Sequence, residues 1–228
     1  MISVVIPALN EEEPIAAVVR ACLTTGLPSE VIVVDNGSND RTSDRAEAAG
    51  ARVVLEPRPG YGRACAAGVG ALSSDCDLVV FLDGDGSDCP EFMPELVGPI
   101  QRGEQDFVIG SRTRGEREPG SMNFQQVFAG RIAGWLLGLL YRVRYTDMCP
   151  FRAIRRDALE KLGMKELTYG WNLEMQMRAA RARLRILEIP VNHRCRTGGE
   201  SKVSGTLRGT FVAGARIVAT LFRVAFER

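Results

Sequence analysis

The sequence predicts an α/β fold: a mostly parallel sheet flanked by helices. Three observations carry that expectation. Five short runs, at 2–7, 30–35, 51–56, 77–83 and 106–111, are nearly continuous in valine, isoleucine and leucine. Runs of this kind read as strands buried on both faces. Segments of helical composition, roughly 12–25, 41–49, 62–72 and 90–101, lie between them. The resulting βαβα order favours a doubly wound sheet. Finally, 228 residues are enough for one core, so a single domain over 1–228 is expected.

Each strand is marked in turn by the residues at its carboxyl end. The first ends "IPALNEEE" (6–13), where Pro7 closes the strand and Asn10 is placed to cap the next helix. The second ends "VVDNGSNDRT" (33–42), and a helical segment after Asn36-Gly37 implies a turn that presents Asp35 to a cleft. The third leads into "EPRPGYGRACAAG" (56–68). Its glycines at 60, 62 and 68 miss the spacing of a dinucleotide-binding loop, which excludes a Rossmann dehydrogenase. The fourth runs into "DGDGSDCPEF" (83–92), and the fifth ends in Ser111, Arg112 and Arg114. The polar stretch 113–123 reads as a mobile loop within the domain.

Beyond this point the pattern is less regular. Residues 124–141 have helical spacing and are apolar around much of their circumference. Residues 206–226 place Arg208, Arg216 and Arg223 near one face of an amphipathic helix. Both helices can pack on the core, or lie on a membrane surface.

Composition is that of a globular protein, with 45% hydrophobic and 25% charged residues and a formal net charge of +1. That balance hides a basic C-terminal quarter and an acidic body, consistent with a phosphate-rich partner at one end. Near-zero net charge and no aromatic-rich basic strand argue against nucleic acid. Six scattered cysteines and the single His193 make a Cys/His zinc site unlikely and suit a reducing compartment. An apolar strand directly after Met1, with no uninterrupted apolar run of spanning length, leads to an expectation of a cytoplasmic protein, soluble or peripheral on the inner face of the membrane.

The sharpest chemical signal is Asp83-Gly84-Asp85, with Ser87 and Asp88 beyond it. In an open parallel sheet, ligands bind outside the carboxyl ends of strands. Two carboxylates there repel one another unless a cation is near, and hard oxygen ligands select Mg2+ or Mn2+ with phosphate oxygens completing the shell. An ordinary Asp-Gly turn is the alternative. Arg112 is suited to phosphate, or is a surface residue before a loop. Further on, "YTDMCPFRAIRR" (145–156), "WNLEM" (171–175) and the basic loop 193–209 add Asp147, Arg152, Glu174 and Lys202.

These segments, in this order from residue 4 to about 209, resemble the family 2 glycosyltransferases of GT-A fold. The resemblance is strongest to the dolichyl-phosphate mannose synthase and polyprenyl-phosphate glycosyltransferase branch. It implies a nucleotide-sugar-binding half (1–112) and an acceptor-binding half (113–228). Pro7, Ala8, Asn10, Glu11 and Asp35 would then border the nucleoside, and Lys202 with its loop would close over the donor. Asp83 and Asp85 would hold the metal, with Ser87 where look-alikes often carry glutamine. Arg112, Arg131 and Arg152 would face the acceptor. Asp85, Arg112 and Asp147 would form the catalytic set, and Cys149 stands where glycine is expected.

The implied reaction is inverting hexosyl transfer from a UDP-glucose or GDP-mannose type donor to a polyprenyl or dolichyl phosphate at the membrane surface. With a hydroxyl acceptor instead, Asp147 and then Glu174 become candidate bases. A sugar-phosphate nucleotidyltransferase is disfavoured, because its glycine-rich basic loop is replaced by acidic "IPALNEEE". A non-catalytic binding module is disfavoured by the intact D-x-D.

Overall fold

The computed structural model describes residues 1–198 and 219–226. Its centre is a seven-stranded sheet in the order β3-β2-β1-β4-β6-β5-β7. The strands are β1 (Ile2–Ala8), β2 (Glu30–Asp35), β3 (Arg52–Leu55), β4 (Leu78–Phe81), β5 (Phe107–Ser111), β6 (Arg152–Arg155) and β7 (Ile186–Pro190). The first five coincide with the apolar runs in the sequence. Every residue of β1, β4 and β5 is buried, as expected for strands covered on both faces. All pairings are parallel except those of β6, which is antiparallel to both β4 and β5. This insertion was not foreseen: "RAIR" is too short and too polar to declare itself a central strand.

The helices are α1 (Ile15–Thr24), α2 (Thr42–Ala48), α3 (Tyr61–Gly70), α4 (Met93–Gln101), α5 (Phe124–Tyr141), α6 (Arg156–Leu162) and α7 (Trp171–Arg181). Residues 219–226 are also helical, which agrees with part of the expected 206–226 segment; 206–218 lie outside the described residues. Helix α1 buries Ile15, Val18, Val19 and Cys22, the stripe that a 3.6-residue period produces. It begins after Pro14 without a side-chain cap. Asn10 therefore does not cap it, contrary to expectation. Its backbone takes φ 53°, and its Oδ1 accepts the Asn39 N–H at 2.8 Å, tying the loop after β1 to the loop after β2.

Helix α3 lies close to β1 and β2 because its buried positions are small: Gly62, Ala64, Cys65 and Gly68. The stretch 113–123 is bonded rather than free. The His193 N–H donates to the Glu116 carbonyl (2.9 Å) and the Glu118 N–H to the His193 carbonyl (3.0 Å). Among the described residues no helix is long and apolar enough to cross a membrane.

A methyl group on Gly68 would fall 2.4 Å from Val5 Cγ1 and 3.0 Å from Val34 Cγ2. Both valines are fully buried, so the helix must lift from the sheet. Gly68→Ala is expected to cost about 1–3 kcal/mol of stability, read as a lower urea midpoint with an unchanged slope.

Candidate active site

At the carboxyl ends of the parallel strands lies a cleft of about 600 Å³. Pro7 and Ala8 from β1, Asp83 and Asp85 after β4, and Arg112 after β5 reach it because these parallel strands all end at the same edge of the sheet. The loop before α5 adds Ser121 and Asn123, and the segment after β7 adds His193, Cys195 and Arg196. A second concavity, about 720 Å³, sits at the opposite end of the sheet around Met1, Asp77 and Arg156, away from these groups.

The loop after β4 is crowded with negative charge. The Tyr61 hydroxyl donates to Asp83 Oδ1 at 3.0 Å, and the Asp83 N–H donates to Asp88 Oδ2 at 3.0 Å. Burial first, then Asp88 and Asp85, push the Asp83 carboxyl well above its usual range, against the Tyr61 bond. Burial likewise pushes Asp88 up to about 7. Asp85 Oδ1 accepts both the N–H (3.0 Å) and the hydroxyl (2.6 Å) of Ser87. Ser87 therefore braces Asp85 and is less available as the metal ligand the resemblance implied.

Among the described residues, Arg112 and Arg196 are the cations lining the cleft, and Arg112 is the one held by an aspartate. Its Nε and Nη2 donate to Asp147 Oδ2 and Oδ1, both at 2.8 Å, and its N–H donates to Oδ2 at 2.9 Å. Oδ1 also accepts the Met148 N–H at 2.7 Å. Burial opposes the charge on Asp147, but Arg112 and these hydrogen bonds outweigh it and hold the carboxyl below its usual range. Asp147 is 3% exposed and absent from the cleft's lining. This geometry suits an orienting role rather than the base that a hydroxyl acceptor would need: Asp147 holds Arg112 from behind, with both oxygens already occupied.

Other expectations divide. Pro7, Ala8, Glu11, Asp83, Asp85, Ser87 and Arg112 line the cleft together. Asp35 does not; its carboxylate accepts the Ser38 N–H and the Ser43 hydroxyl, closing the loop after β2. Asn36 lines the cleft instead. Arg131 is exposed on α5 and outside the lining. Arg152 is corrected as an acceptor ligand, because it is fully buried, donates to the carbonyls of Cys149 and Asn172, and lies over the Phe107 ring. Glu174 is corrected as a candidate base: it is fully buried, accepts two backbone N–H groups and pairs with Arg178 and Arg223. Cys149 is buried between the lining residues Met148 and Pro150. Lys202 lies outside the described residues.

The sequence reading gave no site role to Tyr61 or His193, and placed Arg196 only in the basic loop 193–209. Tyr61 lies between two glycines, Gly60 and Gly62, that were read only for their spacing. Arg196 pairs with Glu11 across the cleft at 2.7 Å. His193 is 5% exposed, and its Nδ1 lacks a hydrogen bond, 3.9 Å from Asp88 Oδ1. Burial and then Arg112 pull its pKa down to about 4, so the ring is neutral near pH 7.

Among the described residues, no group of three or more His, Cys, Asp or Glu side chains forms a closed metal cage. Two carboxylates facing a cleft nonetheless fit a hard divalent cation, whose remaining positions are taken by phosphate oxygens and water. The crowding of Asp83 and Asp85 beside Asp88 is relieved by such an ion.

With this geometry in hand, comparison with known proteins is informative. Residues 3–163 match the family described as Glycosyl transferase family 2. The chain belongs to that family. It is 41% identical over 214 residues to an uncharacterized glycosyltransferase of Mycobacterium tuberculosis, covering 93% of this chain and 94% of the relative. It is 34% identical over 230 residues to a dolichyl-phosphate hexose transferase of Haloferax volcanii, covering 99% and 94%. Its fold superimposes with TM-score 0.77 and 30% identity on crystalline glucosyl-3-phosphoglycerate synthase from Mycobacterium tuberculosis, covering 99% of this chain and 79% of that one. That crystal contains Mn2+, uridine-diphosphate-glucose and phosphoglyceric acid. The expected GT-A fold is thereby borne out.

Asp147→Asn leaves the Arg112 charge buried with a neutral partner, at a cost of about 3 kcal/mol near pH 7. Because pairing lowers the folded pKa of Asp147, its stabilisation is present above the unfolded value of about 3.9 and lost as pH falls through the folded one. The urea-midpoint gap between wild type and Asp147→Asn should be wide at pH 7 and narrow progressively below pH 4.

Proposed function

We propose that this glycosyltransferase moves a hexose from a nucleotide-diphosphate sugar to a polyprenyl phosphate at a membrane surface, with inversion at the anomeric carbon. The observation that carries this reading is that, among the described residues, the carboxylates lining the cleft are already engaged, beside the cationic Arg112, and the one imidazole there is held to a pKa of about 4, a weak base. Among the described residues, the carboxylates lining the cleft are Glu11, Asp83 and Asp85. Glu11 faces Arg196, Asp83 holds Tyr61, and Asp85 holds Ser87. A hydroxyl acceptor needs a base within reach. A phosphate oxygen is already anionic and needs only a cation to steer it, which Arg112 supplies.

The acceptor oxygen attacks the anomeric carbon, and the bond from that carbon to the diphosphate oxygen breaks. The electron pair leaves with the nucleoside diphosphate. Mg2+ or Mn2+ held by Asp83 and Asp85 would neutralise charge on that leaving group. Asn36, Pro7 and Ala8 form the donor side; Arg112, with Ser121 and Asn123, forms the acceptor side. The name of the Haloferax relative supports the lipid-phosphate class.

The membrane component rests on α5. Phe124, Phe128, Ile132, Trp135 and Leu139 recur every three or four residues and are all exposed. The rings of Phe124 and Phe128 stack at 5.8 Å. Exposed Arg131, Arg142 and Arg144 flank this stripe, and Asn123 joins it to the cleft. An apolar face beside cationic side chains suits an anionic lipid surface.

A second reading is favoured by the likeness to glucosyl-3-phosphoglycerate synthase: a small phosphorylated acid whose hydroxyl is the nucleophile. His193, neutral and facing the cleft, would then be the nearest proton acceptor.

The deciding experiment offers UDP-glucose and GDP-mannose with Mn2+ or Mg2+, plus either a short-chain polyprenyl phosphate or 3-phosphoglycerate. Transfer of labelled sugar to the lipid phosphate is expected, falling about a hundredfold or more in Asp85→Ala. Transfer to 3-phosphoglycerate alone would replace the first reading with the second. In sedimentation with phosphatidylglycerol vesicles, the chain should bind at low salt and release at high salt. Trp135→Glu should abolish that binding without changing the melting temperature; unchanged binding would remove the membrane component.

A further inference from the structure

Behind Arg112 lies a polar cluster outside the cleft's lining. Glu188, on the edge strand β7, has a side chain only 7% exposed. Its Oε1 accepts the N–H groups of Thr146 (2.8 Å) and Asp147 (3.2 Å), and its Oε2 accepts the Thr146 hydroxyl (2.9 Å). Thr146 Oγ1 also lies 2.6 Å from Ser111 Oγ and 3.3 Å from Thr113 Oγ1. Arg114 Nη1 donates to the Glu188 carbonyl and stands 3.8 Å from the carboxylate.

The order of these residues in the chain is what matters. Ser111 precedes Arg112, and Thr146 precedes Asp147. Strand β7 pairs with one side of β5 and β6 with the other. Glu188 therefore reaches across the end of β5 to hold the segment that enters β6. A buried carboxylate persists where hydrogen bonds offset its desolvation, and here all three come from Thr146 and Asp147. Burial pushes its pKa up, and those bonds oppose the shift.

Asp147 occupies Nε and Nη2 of Arg112, so Nη1 is the guanidinium nitrogen it leaves unused. Where that nitrogen points depends on where Asp147 sits. We propose that Glu188 is a positioning residue for the anionic acceptor: by gripping the Thr146–Asp147 backbone, it fixes Asp147 and, through it, the nitrogen Arg112 offers to the cleft. This rests on the reading above, in which Arg112 faces an acceptor phosphate. Small displacements of such a group carry large kinetic penalties.

The test compares wild type, Glu188→Ala and Glu188→Gln by two readouts. The first is the Arg112 Nε–H resonance in nitrogen-15 spectra, assigned through its loss in Arg112→Lys. The second is the split between donor KM and acceptor KM, with short-chain polyprenyl phosphate and 3-phosphoglycerate as probes. Glu188→Ala should shift or broaden the Arg112 resonance and raise acceptor KM about tenfold or more, while donor KM stays within about twofold. Glu188→Gln should restore both, since its amide oxygen can accept the two N–H groups and its NH2 can donate to Thr146 Oγ1. If Glu188→Ala does not fold, Glu188→Asp, shorter by one methylene, is read in the same way.

An unchanged Arg112 resonance, or donor and acceptor KM rising together, overturns the proposal. If wild type uses neither probe, the proposed reaction fails, and the resonance alone then decides the inference: its retention in Glu188→Ala overturns it, its loss upholds it.

Discussion

The bidentate pair between Arg112 and Asp147 holds the functional end of this sheet together. Strand β5 delivers the guanidinium, and the segment before β6 delivers the carboxylate. Because β6 runs antiparallel between β4 and β5, that segment passes close to the loop carrying Asp83 and Asp85. One buried interaction therefore sets the distance between an acidic wall and a cationic one. Neither charge could stay buried alone: an unpaired ion in this setting costs several kcal/mol.

The acidic wall has the opposite character. Burial pushes Asp83 and Asp88 toward protonation, Asp88 and Asp85 add to the push on Asp83, and Tyr61 and the Asp83 N–H compensate only in part. A site left electrostatically incomplete in this way has the charge to suit a hard cation. The segment after β7 closes the arrangement. The Arg194 N–H donates to the Ser87 carbonyl, the Thr197 N–H to the Asp85 carbonyl, and Arg196 reaches Glu11. The loops after β1 and β4 are thus both tied to the segment after β7 by contacts that no local motif announces.

Much of the fold was legible along the chain. Five strands followed from valine-rich runs and four helices from the segments between them, because burial on both faces imposes a continuous apolar pattern. The aspartates after β4 and Arg112 after β5 were legible for a related reason: parallel strands end at a shared edge, so strand-end residues share a site. β6 and β7 were not legible. One is four residues long and the other a half-exposed edge strand, and neither length nor pattern marks them.

What the sequence by itself determined was the sheet, its carboxyl-end cleft and the chemical types gathered there. These follow from periodicity and local order, which act over a few residues. Only the tertiary structure decided what each charge does. Asp147 and Arg112 are 35 positions apart, Glu188 and Thr146 are 42, and Glu11 and Arg196 are 185. By resemblance, Arg152 was expected to face the acceptor and Asp35 the nucleoside, and Asp147 to serve as a base only toward a hydroxyl acceptor. Folded, Asp147 binds an arginine 35 positions away, Arg152 donates to two backbone carbonyls, and Asp35 closes the loop that follows it. A carboxylate's role depends on its neighbours in space, and burial makes that dependence decisive by strengthening every bond it forms and penalising every one it lacks.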